Sequence, residues 1–130
     1  MALEPQFAVT PRIGAVSVAT ADSSMTAPTN FGTVITGVAA GTRIAEVVVK
    51  IALTGSASTA SVVRLFLFDG TTYWLFDEIV CAAATGSASA ASTRVSTTYA
   101  NLVLPSASWS LRATTSVSQA THVTAFGADL

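Results

Sequence analysis

His122 is the only histidine in the chain, so a Ser–His–Asp triad would have to be built on it. Serines are abundant, but no Gly-x-Ser-x-Gly elbow presents one as a nucleophile, and no local motif fixes a Ser–His–Asp arrangement. The carboxylates are Glu4, Asp22, Glu46, Asp69, Asp77, Glu78 and Asp129. Asp77 and Glu78 form the one adjacent pair, and adjacency in a strand sends the two to opposite faces, where they cannot act together as the acid and base of a glycosidase. No calcium loop, zinc spacing or phosphate cradle occurs. Cys81 is the single cysteine, which excludes an intramolecular disulfide and a thiolate cluster. Beside Val80 and a run of alanines it is expected as a buried small hydrophobe. The expectation is a protein without catalytic residues, metal or cofactor.

Arg64 and Asp77 suggest contact rather than catalysis. They lie in the segment Val62–Val80, VVRLFLFDGTTYWLFDEIV, where Asp-Gly between β-branched and aromatic runs predicts a β-hairpin. The loop can be the two residues Asp69-Gly70 or the four residues Asp69–Thr72, and both give the same faces. Val63, Leu65, Leu67, Trp74 and Phe76 share one face, and Val62, Arg64, Phe66, Phe68, Tyr73, Leu75 and Asp77 share the other. In the four-residue register Arg64 stands opposite Asp77, either as a solvent-facing ion pair worth little or as a polar contact within an aromatic patch of the kind enriched at interfaces. One face can line a core; the other needs a second cover, from the same chain or from a partner. Trp74 and Trp109 could stack on sugars, but each sits on an alternating apolar face and is expected in the core.

The elements that hold these residues are strands. Period-2 alternation or short β-rich runs occur near Ile13–Thr20, Thr33–Val38, Thr42–Leu53, Ser61–Phe68, Thr71–Val80, Thr93–Leu104, Trp109–Ser116 and Thr121–Gly127, separated by Gly, Pro, Ser and Asn clusters. Val47, Val49, Ile51 and Leu53 face one way, with Glu46 and Lys50 the other; Trp109, Leu111 and Ala113 alternate likewise with Ser110, Arg112 and Thr114. About eight short strands predict one all-β domain, an antiparallel, jelly-roll-like β-sandwich over residues 13–130, preceded by an extended N-terminal arm over residues 1–12. Thr54–Ser61 (TGSASTAS) and Thr85–Ser92 (TGSASAAS) repeat each other. If residues 42–104 form a four-stranded meander, both repeats sit at the end of the sheet opposite Asp69-Gly70, either as matched contact loops or as turns that need only small residues.

Composition narrows the function further. Hydrophobic residues make up 51% of the 130 and charged residues only 10%, against roughly 25% in ordinary soluble domains. Ala, Ser and Thr together supply about 45% of the chain, far from typical usage. Lys50 and the arginines at 12, 43, 64, 94 and 112 are spread apart and the net charge is −1, so nucleic-acid binding is not expected. No apolar run approaches the roughly 20 residues of a spanning helix, and no membrane association is expected. The amino terminus, MALEPQFAVTPR, has no basic n-region and carries Glu4 and Pro5, so cytoplasmic synthesis without a signal peptide is expected. A surface so poor in charge gains little from self-repulsion, which favours a place inside an assembly.

The residues RLFLFDGTTYWLFDEI, then Leu104-Pro105, Trp109–Arg112 and the closing Ala125–Asp129, resemble a type of small structural protein found among tailed bacteriophages. The resemblance covers residues 62–130, and its motifs are structural. It implies a virion component: a capsid decoration (cement) protein, or a tail, baseplate or fibre protein. A carbohydrate-binding receptor-recognition module is the third possibility. The preferred expectation is a decoration protein that forms a homo-oligomer, a trimer first, and contacts the major capsid protein or another virion protein. Its interface is expected on Ala2, Leu3, Phe7 and Arg12 of the arm and on Arg64, Phe66, Phe68 and Tyr73 of the hairpin.

Overall fold

A computed structural model describes residues 10–53 and 56–130. Eight strands account for the regular structure: β1 (Thr10–Val18), β2 (Gly32–Thr36), β3 (Thr42–Ile51), β4 (Ser61–Phe68), β5 (Tyr73–Cys81), β6 (Arg94–Leu104), β7 (Ser110–Thr115) and β8 (Thr121–Asp129). They form two four-stranded sheets in the orders β1-β8-β3-β6 and β2-β7-β4-β5, with every ladder antiparallel. This is the strand order of a jelly roll. Among these strands only β4–β5 is a hairpin within one sheet; every other link between successive strands crosses from one sheet to the other.

Alternation decides what each strand buries. Ile44, Val47, Val49, Ile51, Leu104 and Val123 of the first sheet meet Val34, Ile35, Val63, Leu65, Ile79 and Leu111 of the second. Trp109 packs partly buried against this core, and Cys81 is 1% exposed within it, where burial raises its thiol pKa. The outward positions are filled mainly by Thr, Ser and Ala, which keep β-propensity without charge.

Two features differ from the sequence reading. Residues 42–104 do not form a meander, because β3 and β6 pair in one sheet while β4 and β5 pair in the other. The two repeats nevertheless lie at one end, and they touch: Ala57 bridges Thr85, and Ser58 Oγ both donates to the Ala84 carbonyl (3.0 Å) and accepts from its N–H (2.9 Å). The matched small residues therefore close the sandwich by pairing with each other. The arm boundary also moves. Thr10–Arg12 pair with Gly127–Asp129 in β1–β8, so they belong to the sandwich, while Ala2, Leu3 and Phe7 lie outside the described residues.

Candidate interaction surfaces

The β4–β5 hairpin has the four-residue loop, with Phe68 opposite Tyr73. Gly70 at φ +106° provides the reversal that an L side chain resists. Asp69 organises the loop: Oδ1 accepts from Thr72 N (2.8 Å), Thr71 N (2.9 Å) and Thr71 Oγ1 (3.0 Å), and Oδ2 from Trp74 Nε1 (3.1 Å). The Thr72 and Thr71 amides, then the indole N–H, hold its carboxyl well below the usual carboxylate range. A depressed folded-state pKa contributes stability that is fully present above the unfolded value near 4 and is lost as pH falls through the folded one. The melting-temperature gap between wild type and Asp69→Ala is therefore expected to be constant above about pH 5 and to narrow below about pH 4; thermal melts across that range check it.

A β-bulge changes the rest of the pairing. Between Leu65↔Asp77 and Phe66↔Leu75, β5 carries one extra residue, Phe76. The slip places Glu78, not Asp77, opposite Arg64, and Arg64 Nε bonds Glu78 Oε1 at 2.9 Å. Asp77 turns to the other side and accepts from Tyr99 Oη at 2.7 Å. The predicted Arg64–Asp77 pair is thus replaced by two separate contacts.

The hairpin's second face finds cover in its own chain. Phe66 is fully buried although it points away from the space between the sheets. The Arg112 guanidinium, on the adjacent strand β7, lies 3.8 Å from the Phe68 ring centre and 4.2 Å from that of Phe31, and Nη1 donates to Tyr73 Oη. Tyr73 meets Phe66 edge-on with centroids 5.9 Å apart. Phe31, which ends the β1–β2 connection, is the part the hairpin sequence could not announce. Of the expected contact residues on this face, Phe66 is fully buried within the chain, Phe68 and Tyr73 are half-buried, and Arg64 pairs with Glu78. With Nε buried without a hydrogen-bond partner, Arg112 is held by planar stacking on Phe31 and Phe68 and by the one bond from Nη1 to Tyr73. Arg112→Ala is expected to cost about 2 kcal/mol or more, and Arg112→Lys to recover less than half, since an ammonium cannot stack between two rings; urea titration measures both.

Arg12 is likewise engaged within the chain: Nη1 contacts Asp129 Oδ1 (3.1 Å), the Thr36 carbonyl (2.7 Å) and Thr42 Oγ1 (3.4 Å). It ties β1, β8, β3 and β2 together at the end where the chain leaves β8.

The exposed apolar surface lies elsewhere. On the outer face of the first sheet Ile13 is 69% exposed and stands opposite Phe126, itself 37% exposed. The next row, Pro11–Ala128–Arg43–Val103, crosses all four strands. Arg43, Ala45, Phe126, Gly127 and Ala128 line a shallow depression of about 390 Å³ there. Farther along the face His122 is exposed, with Ser17 and Lys50 as its cross-strand neighbours.

A third surface lies along the sandwich edge, where β5 and β6 border the two sheets. Trp74, expected in the core, is 55% exposed here, because it stands on an edge strand beside the turn and its indole folds back onto Asp69. Phe76 stacks on Tyr99 with centroids 5.1 Å apart. Burial, then the bond to Asp77 and its charge, raises the Tyr99 phenol pKa, so it remains a hydroxyl.

No protein-family model matches the chain, and no curated protein matches its sequence.

Proposed function

We propose that the chain is a non-enzymatic structural component of a bacteriophage particle, and within that class a capsid decoration (cement) protein that self-associates, as a trimer first, and bridges capsid subunits. The observation that carries this reading is the outer face of the first sheet, where Ile13, Phe126 and Val103 are exposed around Ala45 and Ala128 with Arg43 and Glu46 as the nearby charges. Contiguous exposed apolar residues on a chain with 10% charge mark a surface meant to be covered. The phage-like motifs of residues 62–130 supply the setting. The mechanism is additive burial: an interface of roughly 1,600 Å² holds firmly when its apolar anchors pack well, and repetition over a shell supplies avidity. A tail, baseplate or fibre protein would use the same chemistry, and copy number per particle distinguishes it.

Native mass by light scattering at several concentrations tests the reading. A stable oligomer that Ile13→Glu with Phe126→Glu converts to a monomer of unchanged melting temperature supports it. A wild-type monomer that also fails to bind capsids sinks it.

A further inference from the structure

We infer that the edge groove between β5 and β6 is a binding site for a neutral saccharide. The groove stands on its own geometry and does not depend on the assembly reading: it shares Val103 with that face, while the Ile13–Phe126 pair on which the assembly reading centres lies toward the far edge of the first sheet.

The groove arises from two coincident irregularities. On β5 the bulge at Phe76 breaks the ladder to β4. On β6 the register to β3 jumps from Ile44↔Leu102 to Glu46↔Thr98, so Tyr99, Ala100 and Asn101 stand against Ala45 alone. Arg43 secures this widened loop from outside by donating to the Ala100 carbonyl at 3.1 Å. The two edge strands therefore depart from regular pairing at the same level and across from one another, where Asp77 bonds Tyr99 and Phe76 stacks on it. Bulges re-aim side chains at the edges of sheets and beside functional sites. Here they open a groove of about 410 Å³ lined by Leu67, Phe76 and residues 99–103, within the size of small-ligand sites. Trp74, the cross-strand neighbour of Leu67 on the same face, stands at its turnward end.

The lining selects the ligand class. Trp74 is exposed but not free: its indole N–H is held by Asp69, which fixes the ring and leaves its face bare. Phe76, 37% exposed, is braced by Tyr99 in the same way. An aromatic face carries negative quadrupole charge and attracts the weakly positive C–H face of a pyranose. The polar lining is the Tyr99 hydroxyl, bonded to Asp77 just outside it, and the exposed Asn101; Asp69 lies beyond the groove, at the Trp74 indole. An ionised carboxylate accepts up to about four hydrogen bonds, so Asp77 keeps capacity beyond Tyr99 and the Glu78 amide. Fixed rings flanked by acceptors suit hydroxyl donors. No lysine or arginine lines the groove, and Asp69 and Asp77 disfavour acidic sugars.

The test is a titration of the full-length protein with maltoheptaose, chitohexaose, a mannan and a galactan, followed by tryptophan emission and by calorimetry, with polygalacturonate as the acidic comparison. Saturable binding to at least one neutral saccharide is expected. Trp74→Ala and Phe76→Ala should each weaken it about tenfold or more, equivalent to about 1.4 kcal/mol, while Ile13→Ser, on the edge of the first sheet away from β6, leaves it intact. Because both aromatics are exposed, each variant should retain the wild-type near-ultraviolet dichroism of the core. Failure of every neutral saccharide to bind overturns the inference. So does binding that survives Trp74→Ala in a folded protein, preference for polygalacturonate, or saturation of the groove only by an apolar peptide. Loss of oligomer without loss of saccharide binding would fail the assembly reading alone.

Discussion

Phe66→Ala is expected to destabilise the fold by about 3–5 kcal/mol, the range for truncating a large buried aromatic. That is a large share of the 5–15 kcal/mol that holds a typical domain together. The size is notable because Phe66 does not lie between the sheets. It is fully buried on the outer side of the second sheet, beside its register partners Arg112 and Leu75 and under Tyr73. Removing the ring leaves Tyr73, Phe68 and Arg112 packed against a void, and Arg112 cannot sink into it without carrying charge into an apolar space. Phe66→Ser should be worse, since its hydroxyl would join the buried polar atoms of this face that lack partners. In urea unfolding the midpoint should fall while the slope stays constant, because the loss lies in stability and not in the surface exposed on unfolding. A variant with the wild-type midpoint but lost self-association would mean that this face is covered mainly by a partner, as the sequence reading allowed.

That contrast shows which parts of the molecule are legible in the sequence. All eight strands announce themselves, because Thr/Val/Ile alternation is a local property; Val47, Val49 and Ile51 face inward as their spacing predicts. The Asp69–Thr72 turn is equally local. What fails is whatever depends on a neighbour far away in the chain. The bulge at Phe76 leaves no mark in a run as uniformly apolar as YWLF, yet it exchanges Asp77 for Glu78 opposite Arg64. Trp74 alternates like a core residue and is exposed because β5 is an edge, a fact fixed only when β4 chooses β7 as its second partner. Phe31 covers Arg112 from a connection that carries no strand pattern. The groove was least visible of all, since its two walls belong to different sheets and its width comes from one bulge on each.

Gly127→Ala is expected to cost about 3 kcal/mol or more, beyond the usual range for an added methyl group, and to lower soluble yield. A Cβ at Gly127 would stand 1.9 Å from the Arg43 carbonyl oxygen, 2.9 Å from its carbon and 3.0 Å from Ile44 Cα. All three are backbone atoms of a strand hydrogen-bonded on both sides, so none can rotate away as a side chain would. The close approach occurs where β3 inserts Ala45 between Ile44↔Gly127 and Glu46↔Phe126. Gly70→Ala is the informative comparison. Its Cβ would meet nothing nearer than 3.7 Å, but its φ is +106°, so the cost should be conformational strain alone, about 1–2 kcal/mol. Thermal melts of the two variants should therefore differ clearly, with Gly127→Ala lower. The consequence reaches the proposed contact surface. The Ala45 insertion sets which β3 side chains turn outward, and a slip of one residue would send Arg43 inward and Ile44 out. A Gly127→Ala protein that melts like wild type would show that β3 and β8 do not approach this closely. The Pro11–Ala128–Arg43–Val103 row would then lose its basis as the outer face, and the assembly reading would lose the surface on which it rests.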